Sequence, residues 1–349
     1  MTRTWIAALA VVLAGCPGDD ESTDDGAMAS STGTTTSPTA GPATSMGPGS
    51  ETDPGTSNAT DSQGETGPGD TTETGDGESG DTTTTGAIDE PGPDLREEGP
   101  FAVQVSSGSE SLPGCQMGYD LYTPMGEAEA PVVVLAHGFQ GNRGTMTGWA
   151  EHWASWGVRV IAPDLCHATI FDTDHPQNGA DLQALVGALG LGPVIYAGYS
   201  AGGLAAVIAG SDDASAVAVL GLDMVDADGL GAAAAPGIGS PAFDIVGEPS
   251  QCNTTNNGLA VFQAAGGQAL RVTDADHCDF QSPADFLCGL TCRGGNPQFD
   301  DTEIQTAVRG LSTAVVTWQT GVEPTGVQWW TPGGPYYEDL VSIGIVQQP

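Results

Sequence analysis

The chain predicts an α/β domain with a mostly parallel central sheet flanked by helices, carried behind a long segment that cannot fold alone. Three observations point there. Between residues 101 and 349, short apolar runs alternate with helical stretches, the pattern of repeated strand and helix units. Most of those runs are continuously apolar, as in parallel strands covered on both faces. Ahead of them, from residue 17 to about 100, the chain is almost entirely Gly, Ser, Thr, Pro, Asp and Glu. It has too few apolar side chains to offset the entropy of ordering its backbone.

Taken from the start, residues 1–16 carry one base, Arg3, then a short apolar run and small residues ending at Cys16. The run is shorter than a bilayer span and has the form of an export signal. Its close, Leu13-Ala14-Gly15-Cys16, resembles the lipobox of bacterial lipoproteins. That resemblance implies removal of the signal, lipidation of Cys16 and an exported, membrane-anchored protein facing the periplasm or the cell surface. Residues 17–100 are then a disordered acidic linker. They hold 19 of the chain's 45 acidic residues against one base, Arg96, and self-repulsion extends them as a tether.

Residues 101–349 are long enough for one domain with a full core. They contain 26 acidic and 5 basic residues within a chain of net charge −38, which disfavours nucleic acid and anionic surfaces as partners. Strands are expected at 101–105 and 117–122, where character alternates, joined by a turn at Pro113-Gly114. The run Pro-Val-Val-Val-Leu-Ala at 131–136 reads as a strand buried on both faces, followed by similar runs at 158–163, 193–197, 216–222, 242–246 and 270–272. Helices are expected between them at 146–156, 180–189, 201–209 and 258–265, and after them at 303–318. Trp329, Trp330, Tyr336 and Tyr337 read as core packing or a docked strap in preference to a cleft wall. With Cys16 assigned to lipid, Cys115, Cys166, Cys252, Cys278, Cys288 and Cys292 remain. An even number in an exported protein suggests up to three disulfides, whose pairing the spacing leaves open. The Cys288/Cys292 step has no second matching pair and is a weak basis for a metal site.

The chemistry centres on Gly198-Tyr199-Ser200-Ala201-Gly202, which follows an apolar strand and opens a helix of small residues. A serine on so sharp a strand-to-helix turn needs glycine neighbours for the backbone to close, and its hydroxyl then projects beside a helix N-terminus. Upstream, His137-Gly138-Phe139-Gln140-Gly141 follows the 131–136 strand and can bring a second backbone N–H close to that turn. The N–H groups of Phe139 and Ala201 are thus the expected oxyanion donors, with His137 in a structural hydrogen bond. Of five histidines only His277 follows Ser200, which makes it the expected base; His152, His167 and His175 lie before it. For the acid, Asp223 ranks first because it leaves a strand end. Glu248, after the next strand, is second, and Asp226 is third.

These residues resemble the α/β-hydrolase family, and within it the chlorophyllase and cutinase-like polyester hydrolase group, over about residues 101–321. The Gly-Leu-Asp segment at 221–223 is similar to the Gly-Ile-Asp-Pro segment of plant chlorophyllases, with Met224 where those have Pro; in the polyester hydrolases the acid follows the next strand, where this chain has Gln251. The resemblance implies a serine hydrolase that cleaves carboxylic esters by Ser-His-Asp acyl transfer, with no metal or organic cofactor. Between Asp226 and Ser240 the few residues are mostly Gly and Ala, where capped hydrolases insert a lid, so no large lid and an open cleft are expected. A catalytically silent binding protein on the same scaffold, and a peptidase or acyltransferase with the same triad, are the alternatives.

Overall fold

The computed structural model describes residues 90–292 and 297–349. The expected lipidation site Cys16 and residues 17–89 of the expected linker lie outside them. Eleven strands are described: β1 (Val103–Leu112), β2 (Cys115–Pro124), β3 (Val132–Ala136), β4 (Arg159–Pro163), β5 (Ala168–Thr169), β6 (Asp172–Thr173), β7 (Val194–Tyr199), β8 (Ala218–Leu222), β9 (Ala242–Val246), β10 (Gln268–Val272) and β11 (Val346–Gln347). Nine form one sheet in the order β1-β2-β4-β3-β7-β8-β9-β10-β11, while β5 and β6 make a separate small hairpin. The six strands from β4 to β10 across the middle of that sheet run parallel, and the outer pairings are antiparallel.

Every residue of β3, β7, β8 and β9 is buried, the burial expected of apolar strands covered on both faces. The helices are α1 (Thr147–Ser155), α2 (His175–Ala188), α3 (Ala201–Asp212), α4 (Leu230–Ala234), α5 (Gly258–Ala264), α6 (Phe286–Thr291), α7 (Asp301–Thr320) and α8 (Pro335–Ser342). Helices α1 and α7 pack on one face of the sheet, where Trp149, Trp153, Leu311 and Val315 belong to one buried apolar cluster. Helices α2 to α5 cover the other.

Local chemistry explains where elements exceed their expected bounds. The Asp174 side chain accepts the Gln177 N–H, and Pro176 suits the first turn, so α2 starts five residues before the expected 180. Reciprocal capping by Asp300 and Glu303 starts α7 at Asp301. The β1–β2 hairpin is far longer than the two short strands expected. Its Ser/Gly-rich middle has little intrinsic β preference, but ten cross-strand pairs hold it, and Gly108 leaves room for the ring of its partner Tyr119.

The folded region also begins before residue 101. Residues 90–100, placed in the linker by composition, dock on the domain: Leu95 is fully buried, the Tyr336 hydroxyl donates to Gly92 O (2.5 Å), and the Gly92 N–H donates to Gln328 Oε1 (3.0 Å). Arg96 lies over the stacked Trp329 and Tyr336 rings and pairs with Asp94 and Asp339. That cluster accounts for Trp329 and Tyr336 as packing residues. No helix among the described residues is long and apolar enough to cross a membrane.

Candidate active site

Ser200 sits between the end of β7 and the start of α3, at φ 53° and ψ −122°. This is a left-handed backbone that residues with a Cβ avoid. The turn closes only because its flanks are glycine. A Cβ at Gly198 would lie 2.2 Å from the carbonyl oxygen of Gly202, and one at Gly202 would lie 2.3 Å from that of His137. The Ser200 N–H donates to Leu222 O (3.1 Å), which joins the turn to the end of β8.

Asp223 is the next residue after β8, also left-handed at φ 49°. It is buried, and its Oδ1 accepts the Gly247 N–H (3.0 Å). His277 opens a short 3₁₀ turn, His277–Phe280, beyond β10, capped by Asp276 and Asp279. The turn is held from α1: Trp149 Nε1 donates to Phe280 O (2.8 Å), and the Gly148 N–H donates to Ser282 O (2.7 Å).

Three strand ends thus bring one relay together. His277 Nδ1 lies 2.6 Å from Asp223 Oδ2, and its Nε2 lies 2.9 Å from Ser200 Oγ. A carboxylate can only accept, so the network assigns the ring proton to Nδ1 and leaves Nε2 to accept from the serine hydroxyl. The Tyr199 ring covers the imidazole at 4.8 Å between centroids. Such a relay can take the serine proton as its oxygen attacks an electrophile.

The other candidate acids are engaged elsewhere. Glu248 Oε1 accepts the Asp274 N–H (3.3 Å). Asp226 accepts the N–H groups of Gly231 (2.7 Å) and Ala232 (3.2 Å) at the start of α4. Among the described residues neither is bonded to His277. After β8 the chain carries only the five-residue α4 and one 3₁₀ turn, Ala235–Gly237, before β9.

The upstream turn lies directly against the serine. A Cβ at Gly138 would come within 2.8 Å of the Tyr199 ring and 3.2 Å of Ser200 Cβ. His137 anchors this turn: its Nε2 accepts the Leu165 N–H (2.9 Å) and its Nδ1 donates to Gly138 O (2.8 Å). Burial lowers its pKa, so the ring is neutral there. Ala201 is the first residue of α3, and its N–H therefore has no acceptor within the helix. Of the remaining histidines, His152 bonds Leu95 O and His167 bonds Asp172, whose carboxylate raises its pKa. His175 begins α2.

Two further buried polar residues lie beside Asp223. Asn253 is fully buried and donates its amide to Asp223. Asp244 lies in the middle of β9, also fully buried, and neither of its carboxyl oxygens has a well-formed hydrogen bond among the described residues. Burial, reinforced by the charge of Asp223, pushes its pKa well above the ordinary carboxylate range; the backbone N–H groups of Met224 and Ile245 offset this only in part. A charged residue inside an apolar strand run was the one available hint.

The six cysteines pair as Cys115–Cys166, Cys252–Cys292 and Cys278–Cys288. Cys288 and Cys292 both belong to the α6 region, so this segment is tied to the residue after His277 and to the residue before Asn253. Compared with protein-family models and with curated proteins, the chain matches none.

Proposed function

We propose that this chain is a serine hydrolase of the α/β-hydrolase fold that cleaves carboxylic esters. The observation that carries the reading is the continuous relay from Asp223 through His277 to Ser200, at 2.6 and 2.9 Å, with the serine on a strained turn. Ser200 Oγ attacks the ester carbonyl carbon while His277 Nε2 takes its proton. Asp223 holds the tautomer and stabilises the imidazolium, and the N–H groups of Phe139 and Ala201 donate to the oxyanion. His277 then returns the proton to the departing alkoxide, leaving an acyl-serine. Water, deprotonated by the same imidazole, releases the acid and restores Ser200.

An acid placed directly after β8 supports the chlorophyllase-like arrangement over the cutinase-like one. Phe139 is 41 % exposed and belongs to the turn whose Gly138 lies against Ser200. An exposed apolar side chain in that turn favours an ester with an apolar acyl or alcohol group. The lipobox at Cys16 completes the proposal with a membrane anchor outside the cytoplasm.

Hydrolysis of short p-nitrophenyl esters, together with labelling of Ser200 by a fluorophosphonate, tests the reading. Turnover and labelling are expected in the native chain and neither in Ser200→Ala. A folded native chain with no turnover and no label is instead a silent scaffold.

A further inference from the structure

The loop after β9 reads Ser250-Gln251-Cys252-Asn253-Thr254-Thr255-Asn256, polar throughout, yet Asn253 within it is fully buried. All of its polar capacity is directed. Its Oδ1 accepts the N–H groups of Ser250 (2.8 Å) and Asn256 (3.3 Å), which folds the loop. Its Nδ2 donates to Glu248 O (2.8 Å) and to both oxygens of Asp223, at 3.1 and 3.3 Å. Beyond it, Thr254, Thr255 and Asn256 stand at φ 50°, 57° and 57°. Three consecutive left-handed residues, two of them β-branched, are a costly conformation that persists only when its surroundings impose it. The Thr255 N–H to Ser250 O bond (2.7 Å), the Asn256 Nδ2 to Gly247 O bond (2.9 Å) and the Cys252–Cys292 disulfide impose it here.

We propose that Asn253 is a positioning residue, whose amide fixes the orientation of Asp223, and that the strained turn holds the amide in place. The proposal rests on the reading of Ser200, His277 and Asp223 as the reacting relay. Without Asn253, Asp223 keeps one backbone donor, Gly247, and has room to rotate away from His277. The titratable and charged groups facing this pocket are His277 from the 3₁₀ turn, Tyr199 from the end of β7, Asp244 from β9, and Arg271 from β10, whose Nε donates to Gly247 O (3.3 Å); Glu248 meets Asn253 through its carbonyl, while its carboxylate accepts the Asp274 N–H.

Asn253→Asp separates the two halves of the amide. The remaining oxygen still accepts from Ser250 and Asn256, which keeps those two loop bonds, but the one O–H that replaces the two amide donors to Asp223 and Glu248 O exists only while the new carboxyl is protonated. As pH rises that proton is lost and two buried carboxylates repel. N253D is therefore expected to approach native kcat/KM at the acid end of the profile. It should fall about a hundredfold below native on the alkaline plateau, the loss an ångström-scale misplacement brings. KM should change little. A N253D profile that superimposes on the native one, or that is lowered equally at every pH, overturns the proposal. Should N253D lose its fold, Asn253→Ser keeps a short acceptor for the turn but cannot reach Asp223. A reduced kcat is then expected, and a folded N253S with native kcat overturns the proposal. A native chain that neither turns over esters nor labels at Ser200 defeats the reading of the site itself, and this inference with it.

Discussion

Asp223→Asn tests the relay with the smallest change of shape. In the native pocket Oδ2 accepts the His277 Nδ1–H at 2.6 Å, and Oδ1 accepts the Gly247 N–H at 3.0 Å. An amide must turn its NH2 toward one of them. Turned toward Gly247 it sets two donors against each other, and the backbone donor cannot move. Turned toward His277 it forces Nδ1 to become the acceptor, which moves the ring proton to Nε2 and removes the base that Ser200 needs. Either way Asn253 Nδ2, 3.1 and 3.3 Å from the two oxygens, faces a donor where it had an acceptor. A wrong tautomer of this kind lowers kcat about 10⁴-fold, equivalent to roughly 5.5 kcal/mol of transition-state stabilisation. The buried donor conflict adds a stability cost of about 1–3 kcal/mol. The assay is kcat/KM on a short p-nitrophenyl ester, with urea denaturation run in parallel and Glu248→Gln and Asp226→Asn as comparisons. E248Q and D226N should stay within a few-fold of native. A D223N variant that keeps more than a tenth of native kcat, or an E248Q variant that loses more than D223N, refutes the reasoning.

Three further outcomes follow from the same pocket and its supports. Burial raises the pKa of Asp244 in the fold well above the value of about 3.9 it has in the unfolded chain, so between the two folding takes up a proton and its penalty grows with pH. Asp244→Asn should thus raise the thermal midpoint over native by a margin that widens as pH rises above about 4; a margin independent of pH contradicts this. Ser200→Gly should abolish turnover and raise the midpoint. It relieves left-handed strain of about 1–3 kcal/mol against an entropic penalty of roughly 0.5–1 kcal/mol for glycine, and a lowered midpoint counts against the strained turn. Reducing the three disulfides should cost about 2–4 kcal/mol each and slow fluorophosphonate labelling of Ser200, because α6 holds the loops beside His277 and Asn253. Labelling at the native rate after full reduction shows that those loops keep their geometry unaided.

The sheet was legible because its strands are apolar on both faces: β9 occupies the 242–246 expected for it, and the other parallel strands differ by one to two residues at their ends. Elements whose stability is tertiary were not legible. The Ser/Gly-rich half of β1 is a strand because β2 pairs with it, and α4, α6 and α8 are too short to show a period. The same division runs through the site. Ser200 carries its own signature, since the steric demands of the turn are written as glycines at 198 and 202. His277 follows from chain order and Asp223 from its position at a strand end. Asn253 and Asp244 have no local pattern, since an asparagine in an Asn/Thr-rich loop and an aspartate in an apolar run acquire meaning only from burial beside Asp223. Cysteine pairing belongs with them, because six thiols allow many pairings and only the fold brings Cys252 to Cys292. The proposed reacting groups are therefore the readable part, since each is tied to the geometry of its own segment. The groups that hold them are set by contacts across distant loops. For that reason D223N tests what the sequence could suggest, whereas N253D and D244N test what the folded pocket adds.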